Sequence, residues 1–230
     1  MTIKNSVTDV REKIAAAAIR AGRDIHDITL LAATKTIHPK GIQEVIDSGV
    51  TVMGENRAQE LVDKYYKVGG VKWHFIGHLQ TNKVKYIIDK VELIHSVDSL
   101  KLAQEINKQA GIISKVQDIL IELNIANDEH KFGIPLSGFA GLLNDIAVLP
   151  NIRIRGIMTI PPLGMNRNEL TNLFKTCNKV LIDTKRNLVD NDTNIIMDTL
   201  SMGMSADFEL AIEAGANIVR IGSGIFGQRT

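Results

Sequence analysis

Apolar positions along this chain fall into two alternating rhythms. An opening stretch, MTIKNSVTDVREKIAAAAIRAG, spaces its apolar residues as an amphipathic helix does. ITLLAATK, Ile28 to Lys35, then forms a continuous apolar run of the kind found in buried parallel strands. Pro39 opens the helical stretch KGIQEVIDSG, and Gly49 supplies a residue suited to the position just past a helix end. The pattern repeats with strand VTVMGEN (Val50 to Asn56) before helix RAQELVDKYYKV, and strand WHFIGH (Trp73 to His78) before helix TNKVKYIIDK. Strand ELIHSVD (Glu92 to Asp98) precedes helix SLKLAQEINKQAG, and strand VQDILIELNIA (from Val116) precedes a helix from about Ser137 to Val148. IRIRGIMTI (Ile152 to Ile160) is the sixth strand, with a long helix from about Asn168 to Leu188 after the Pro161-Pro162 break. NIIMDTLS (Asn194 to Ser201), helix DFELAIEAG and strand NIVRIGSGIFG (Asn217 to Gly227) complete the series.

Strands alternating with helices imply βαβ units and a parallel sheet. Eight such units in this length predict an α/β fold, a single TIM-type (β/α)8 barrel, with an open doubly wound sheet as the alternative that strand count cannot exclude. No linker rich in Pro, Gly or Ser divides the chain, so residues 1–230 are expected to form one domain. In such a barrel the active groups lie at the C-terminal ends of the strands. Those ends carry Lys35, Asn56, His78, Asp98, Asn124, Met158 with Thr159, Ser201, and the segment from Arg220 to Ser223. The set is polar but contains no cluster of carboxylates.

Composition narrows the classes. The 27 basic and 26 acidic residues give a formal charge of +1, which provides no bulk attraction for nucleic acid or an anionic membrane, so any anion must be bound locally. The lone cysteine, Cys177, excludes an internal disulfide and sits in a helical pattern as a packing residue rather than a nucleophile. Charges interrupt the apolar positions of the N-terminus, so a signal peptide is not expected, and no stretch approaches membrane-spanning length. The expected location is cytoplasmic.

Lys35 ends a largely apolar strand. A low-dielectric barrel mouth would disfavour its ammonium form and free the amine for Schiff-base formation, whereas a lysine in a solvated loop would do neither. Ser201, Gly203 and Ser205 precede one helix, and Gly222, Ser223 and Gly224 follow the last strand. Loops after strands seven and eight recurrently bind phosphate in this fold, although the same glycines also suit plain tight turns. Arg220, two residues before Gly222 and on the same side of the strand, could hydrogen-bond a ring nitrogen or serve in a structural ion pair. Four residues of strand separate His74 and His78 by about 13 Å, too far for one zinc. Glu55 and Asn56 could orient a ligand or bond the loop backbone, and Lys83 and Lys85 read as a solvated helix face.

LLAATKT, GENRAQELVDK, WHFIGHLQTNK, HSVDS, GIMTIPP and LSMGMSADFELAIEAGANIVRIGSGIFGQR, in this order across nearly the whole chain, resemble the pyridoxal 5'-phosphate (PLP) homeostasis protein family. The resemblance implies a fold-type III PLP barrel like the N-terminal domain of alanine racemase, without its second domain. It implies that PLP is the cofactor, with Lys35 as its Schiff-base lysine and Asn56 beside it. Ser201, Gly222 and Ser223 would hold the phosphate, and Arg220 would face the pyridine nitrogen. His78 occupies a variable position of the WHFIGxLQxNK pattern and receives no role.

The function so implied is a carrier and buffer of PLP that influences amino-acid and keto-acid balance, with apo forms of PLP-dependent enzymes as partners and no established reaction. A racemase of weak or unusual activity is the alternative. Racemisation through a planar carbanion needs an acid-base group on each face of the substrate. Alanine racemases take the second from a tyrosine of another domain, which is not expected in a chain whose last residue is Thr230. Tyr65, Tyr66 and Tyr86 all fall in predicted helices. A third reading, a phosphate-binding barrel without PLP, would make Lys35 incidental. Lacking a second domain or an exposed heptad seam, the protein is expected to be a monomer.

Overall fold

A computed structural model of the protein describes residues 2–188 and 194–228. Eight parallel strands, β1 (Thr29–Ala33), β2 (Val52–Glu55), β3 (Lys72–Phe75), β4 (Leu93–Val97), β5 (Gln117–Leu123), β6 (Ile152–Thr159), β7 (Ile195–Ser201) and β8 (Ile218–Ile221), run in sequential order around a closed barrel. β1 pairs with β2 through Leu31↔Val52 and with β8 through Leu31↔Arg220, which excludes the open-sheet alternative. Helices α1 (Ile3–Arg20), α2 (Pro39–Asp47), α3 (Ala58–Tyr65), α4 (Val84–Ile87), α5 (Leu100–Ile112), α6 (Phe139–Ala147), α7 (Arg167–Arg186), α8 (Phe208–Glu213) and α9 (Ser223–Phe226) surround it.

Alternation along the strands divides the apolar side chains into two cores. Outward residues such as Ala32, Met53, Phe75, Ile94, Ile121 and Ile157 pack against the helices. A smaller cluster of Leu31, Val52, Ile76, Leu93, Leu120, Met158 and Ile218 is separate from it and fills the barrel. At Gly156 the β6–β7 register shifts, from Ile154↔Ile195 to Gly156↔Thr199. A Cβ at Gly156 would collide with the Thr199 carbonyl, lying 2.8 Å from its carbon, so only glycine lets the two strands approach this closely.

Helix ends follow local chemistry. Asn166 caps α7 by accepting from the Asn168 and Glu169 amides, and Glu169 returns a bond to the Asn166 amide. Ser99 caps α5, and Pro39 occupies the first turn of α2. Two expected elements are replaced. TNKVKYIIDK, read as one helix, is a 3-10 turn (Thr81–Lys83) followed by the short α4. NIVRIGSGIFG leaves the sheet at Ile221 and becomes helical at Ser223; the apolar Ile225 and Phe226 had carried the strand-like pattern past the Gly222 turn. Among the described residues no helix is long and apolar enough to cross a membrane.

Gly156→Ala is expected to lower unfolding stability by about 3 kcal/mol or more, since backbone rather than a flexible side chain must move. Urea denaturation followed by circular dichroism measures it, and a loss below about 1 kcal/mol would show that β7 can give way.

Candidate functional site

The C-terminal mouth begins with a bracket around Lys35. β1 ends at Ala33, and Thr34 next to it is fully buried. The Thr34 hydroxyl donates to Glu55 Oε1 at 2.6 Å, and the Thr34 carbonyl accepts from Lys64 Nζ at 2.8 Å. On the other side, the Thr36 amide donates to Glu60 Oε2 at 2.8 Å, holding Thr36 at a left-handed φ of 63°. Lys64 closes the bracket by pairing with Glu55 at 2.7 Å and Glu60 at 3.1 Å. Burial opposes the Glu60 charge, but the Thr36 amide, Lys64 and Arg57 outweigh it and hold the carboxyl below its usual range. Lys35 itself is exposed at the rim. Of the two settings open to it, a low-dielectric mouth or a solvated loop, the exposed one is observed. Its placement comes from the backbone on both sides, pinned by α3 side chains that alternation along a strand cannot reveal.

Asn56 follows β2 and is half-buried, its amide 3.3 Å from Glu55 Oε2. Gly77 packs flat against it, since a Cβ there would fall 2.6 Å from the Asn56 Cα. A groove of about 470 Å³ runs from Asn56 past Val62, Phe75, His78, Lys83 and Tyr86. His78 stacks on Phe132 with ring centroids 3.8 Å apart, which binds two mouth loops together. Of the two residues read as orienting or bonding, Glu55 plainly bonds the loop.

Inside the barrel lies a polar chain. Arg220 is 4% exposed, and its Nη1 donates to Ser201 Oγ at 2.7 Å while Nη2 donates to the Thr159 carbonyl at 2.9 Å. Burial pulls its pKa down to about 10 against the carboxylates of Glu122 and Asp207, so it stays protonated at neutral pH. Ser201 is fully buried and also lies 2.9 Å from His95 Nδ1. Its hydroxyl is thus engaged by Arg220 and His95, an arrangement that fits anchoring the arginine better than contacting a phosphate. His95 Nε2 lies 3.0 Å from His74 Nδ1. Desolvation pushes His95 well down, reinforced by His74 and Arg220, and lowers His74 to about 4 with help from Lys72, leaving both rings neutral.

The loops after β7 and β8 are tied to each other. Gly203, at φ 90°, sits where a Cβ would meet Ala211 Cβ at 2.6 Å, and its carbonyl accepts from the Arg220 amide at 3.0 Å. Ser205 Oγ accepts from the Gly224 amide at 3.0 Å, and Asp207 Oδ1 from the Met204 amide at 2.6 Å. Gly222 caps α9 and Ser223, exposed, begins it. Because Ala32 pairs with Ile221, Gly222 and Ser223 leave the barrel beside the strand that leads to Lys35. The fold thus brings Lys35, Asn56, Arg220, Gly222 and Ser223 to one mouth.

Glu122, His95 and Lys64 were missed by sequence reasoning. Glu122 lies on β5, and burial followed by the Asp98 charge raises its carboxyl to about 7, against the pull of Arg220 and Lys131. A polar residue inside an apolar strand run, as in ILIELN and LIHSVD, was the available signal. The opposite end of the barrel holds a cavity of about 400 Å³ lined by His74, Lys72, Asp118, Arg155 and Asp198. There Arg155 bridges Asp118 and Asp198 at 2.9 and 2.6 Å, as befits the stability face of this architecture. Among the described residues no three His, Cys, Asp or Glu side chains gather as a metal site.

Two variants test these placements. Lys64→Met strands the buried Glu55 carboxylate and is expected to cost about 3–5 kcal/mol in urea unfolding; a loss below about 1 kcal/mol would mean that water replaces the lysine. Glu122→Gln separates by pH. The folded pKa of Glu122 is raised, so ionising it costs stability above pH 7 and costs nothing below pH 4.5. The variant is expected to gain up to about 3 kcal/mol on wild type at pH 8 and to match it near pH 4.5, an equal difference at both values contradicting the assignment.

The alanine racemase N-terminal domain family matches residues 11–230. The pyridoxal phosphate homeostasis protein of Aquifex aeolicus is 45% identical over 222 residues, covering 96% of this chain and 95% of that protein. That of Escherichia coli K12 is 39% identical, covering 99% and 97%. Among solved structures, a protein of unknown function from Bifidobacterium adolescentis superposes with a TM-score of 0.88 at 32% identity, covering 97% and 94%. PipY of Synechococcus elongatus, solved with PLP bound, superposes with a TM-score of 0.82 at 28% identity, covering 95% and 100%. An alanine racemase from Clostridium difficile, at a TM-score of 0.74 and 15% identity, shares the fold over 57% of its length. This chain belongs to the alanine racemase N-terminal domain family and, within it, to the pyridoxal phosphate homeostasis proteins.

Proposed function

We propose that this protein binds PLP at the C-terminal mouth as a Schiff base on Lys35 and acts in PLP homeostasis, carrying and buffering the cofactor. The observation that carries the reading is the convergence of a backbone-pinned lysine, a buried guanidinium and the Gly222-Ser223 turn at one mouth. The donor set fits the group. An exposed amine suits an aldehyde, the turn suits a phosphate, and Arg220 holds a proton it does not surrender.

Bound PLP supplies an electrophilic aldehyde and an electron-accepting ring. Lys35 provides the amine for attachment, and the Lys64–Glu55–Glu60 bracket keeps it at the rim. Arg220 would donate to the ring nitrogen, and a donor that keeps its proton there would restrain carbanion chemistry. Gly222 and Ser223 would hold the phosphate, Ser201 anchors Arg220, and Asn56 would lie beside the ring. Restrained electron withdrawal suits custody of the cofactor more than turnover.

The racemase alternative needs an acid-base group opposite Lys35. Tyr65 and Tyr86 lie in α3 and α4, and Tyr66 directly follows α3. We read residues 1–230 as one domain, cytoplasmic and monomeric, that hands PLP to apo forms of PLP-dependent enzymes.

Absorbance spectra with PLP, before and after borohydride, test the anchor. Wild type is expected to show a Schiff-base band that borohydride abolishes, leaving a reduced adduct that mass spectrometry maps to Lys35. Lys35→Ala is expected to lack both. A band that survives this substitution, or none in wild type, would return the PLP-free phosphate-binding barrel to first place.

A further inference from the structure

Four side chains from four strands form one buried line through the barrel: His74 on β3, His95 on β4, Ser201 on β7 and Arg220 on β8. Their exposures are 7%, 0%, 0% and 4%. His74 also lines the cavity at the N-terminal end, so the line runs from that cavity to the guanidinium at the opposite mouth.

Donor and acceptor capacities give the line a single direction. A guanidinium has only donors, so Ser201 Oγ accepts from Arg220. Among the described residues the remaining partner of that hydroxyl is His95 Nδ1, so the Ser201 proton goes there. His95 is then protonated on Nε2 and donates to His74 Nδ1, which leaves the His74 proton on its own Nε2. Reversing the histidines would set His95 Nδ1–H against Ser201 and strand the serine proton in a fully buried place.

We propose that His95, backed by His74, is a positioning residue for Arg220. It holds the Ser201 hydroxyl as an acceptor towards the guanidinium and so fixes where Arg220 presents its other N–H groups at the mouth. The idea rests on the reading of Arg220 as the ring-facing contact. The line works only with both rings neutral, because an imidazolium would oppose donor to donor. The charged groups around it are Lys72 beside His74, and Glu122 and Asp207 facing Arg220. Burial keeps both rings uncharged through the physiological range.

Long-range 1H–15N correlation spectra of the full, PLP-free chain test the tautomers. Both histidines are expected in the Nε2–H form and untitrated between about pH 5 and 8. An Nδ1–H tautomer at either, or titration near the ordinary histidine value, would overturn the proposal. The Arg220 guanidinium N–H signals provide the second readout. They are expected to be sharp and exchange-protected in wild type, retained in His95→Asn, which keeps an acceptor near the Nδ1 position, and lost to fast exchange in His95→Leu. Unchanged signals in His95→Leu would sink the idea; if that variant does not fold, the wild-type tautomers and His95→Asn still decide. PLP titration then separates the two claims. His95→Leu is expected to bind about tenfold or more weakly and His95→Asn within about threefold of wild type. A wild type that binds no PLP would defeat the cofactor reading, while the guanidinium signals still rule on the positioning.

Discussion

Closure of the sheet between β8 and β1 is the constraint on which the site depends. Leu31 opposite Arg220 and Ala32 opposite Ile221 place the first and last strands side by side. Lys35 and the Gly222-Ser223 turn, at opposite ends of the chain, thereby leave the barrel from adjacent strands. Had the sheet stayed open, these groups would sit on its two edges and no mouth would exist. The same closure creates an interior that eight strands must fill with side chains. In this chain the filling is apolar at Leu31, Val52, Leu93, Leu120 and Ile218, then polar at His74, His95, Glu122, Ser201 and Arg220.

Polar filling is costly, and its arrangement shows how the cost is met. A buried guanidinium demands acceptors, and Arg220 finds a hydroxyl and a carbonyl supplied by different strands. Lys64 is likewise admitted to the bracket only with two carboxylates and a carbonyl around it. Each satisfied group fixes a neighbour: Lys64 fixes the backbone before Lys35, Glu60 fixes the backbone after it, and Ser201 fixes Arg220. The Lys35 side chain is left exposed while the rigidity lies in the groups behind it, which places an amine without burying it.

Legibility in the sequence followed the same division. Lys35, Asn56, Ser201, Arg220, Gly222 and Ser223 could be nominated because strand ends and glycine-rich turns are local features, and the architecture assigns function to them. His95 and Glu122 stand out in the sequence only as polar residues in apolar runs, and Lys64 not at all, because their importance arises from what faces them across the barrel or from an adjacent helix. His95 acquires meaning only when β4 is set across from β7, and Glu122 only when β5 is set across from β8. Of the two settings left open for Lys35, the exposed one is observed: the apolar run that precedes it ends at Thr34, and chain direction there is decided by Glu60 and Thr36. The strand end expected at Gly227 falls instead at Ile221, a boundary error in which apolar residues of a one-turn helix continued a strand-like pattern.

Charge at the mouth follows from these same contacts. His74 and His95 are neutral, so within the line Arg220 is the one permanent charge, and the carboxyls facing it are Glu122 and Asp207. Burial raises both of those carboxyls, Glu122 to about 7. Near neutral pH the compensation of Arg220 therefore shifts with the proton on Glu122, while Arg220 itself keeps its charge. An anion held near Arg220 would compete with the Glu122 carboxylate for the same positive field and so would favour the protonated form of Glu122. Protonation of Glu122 removes a buried charge and a repulsion from Asp98 together.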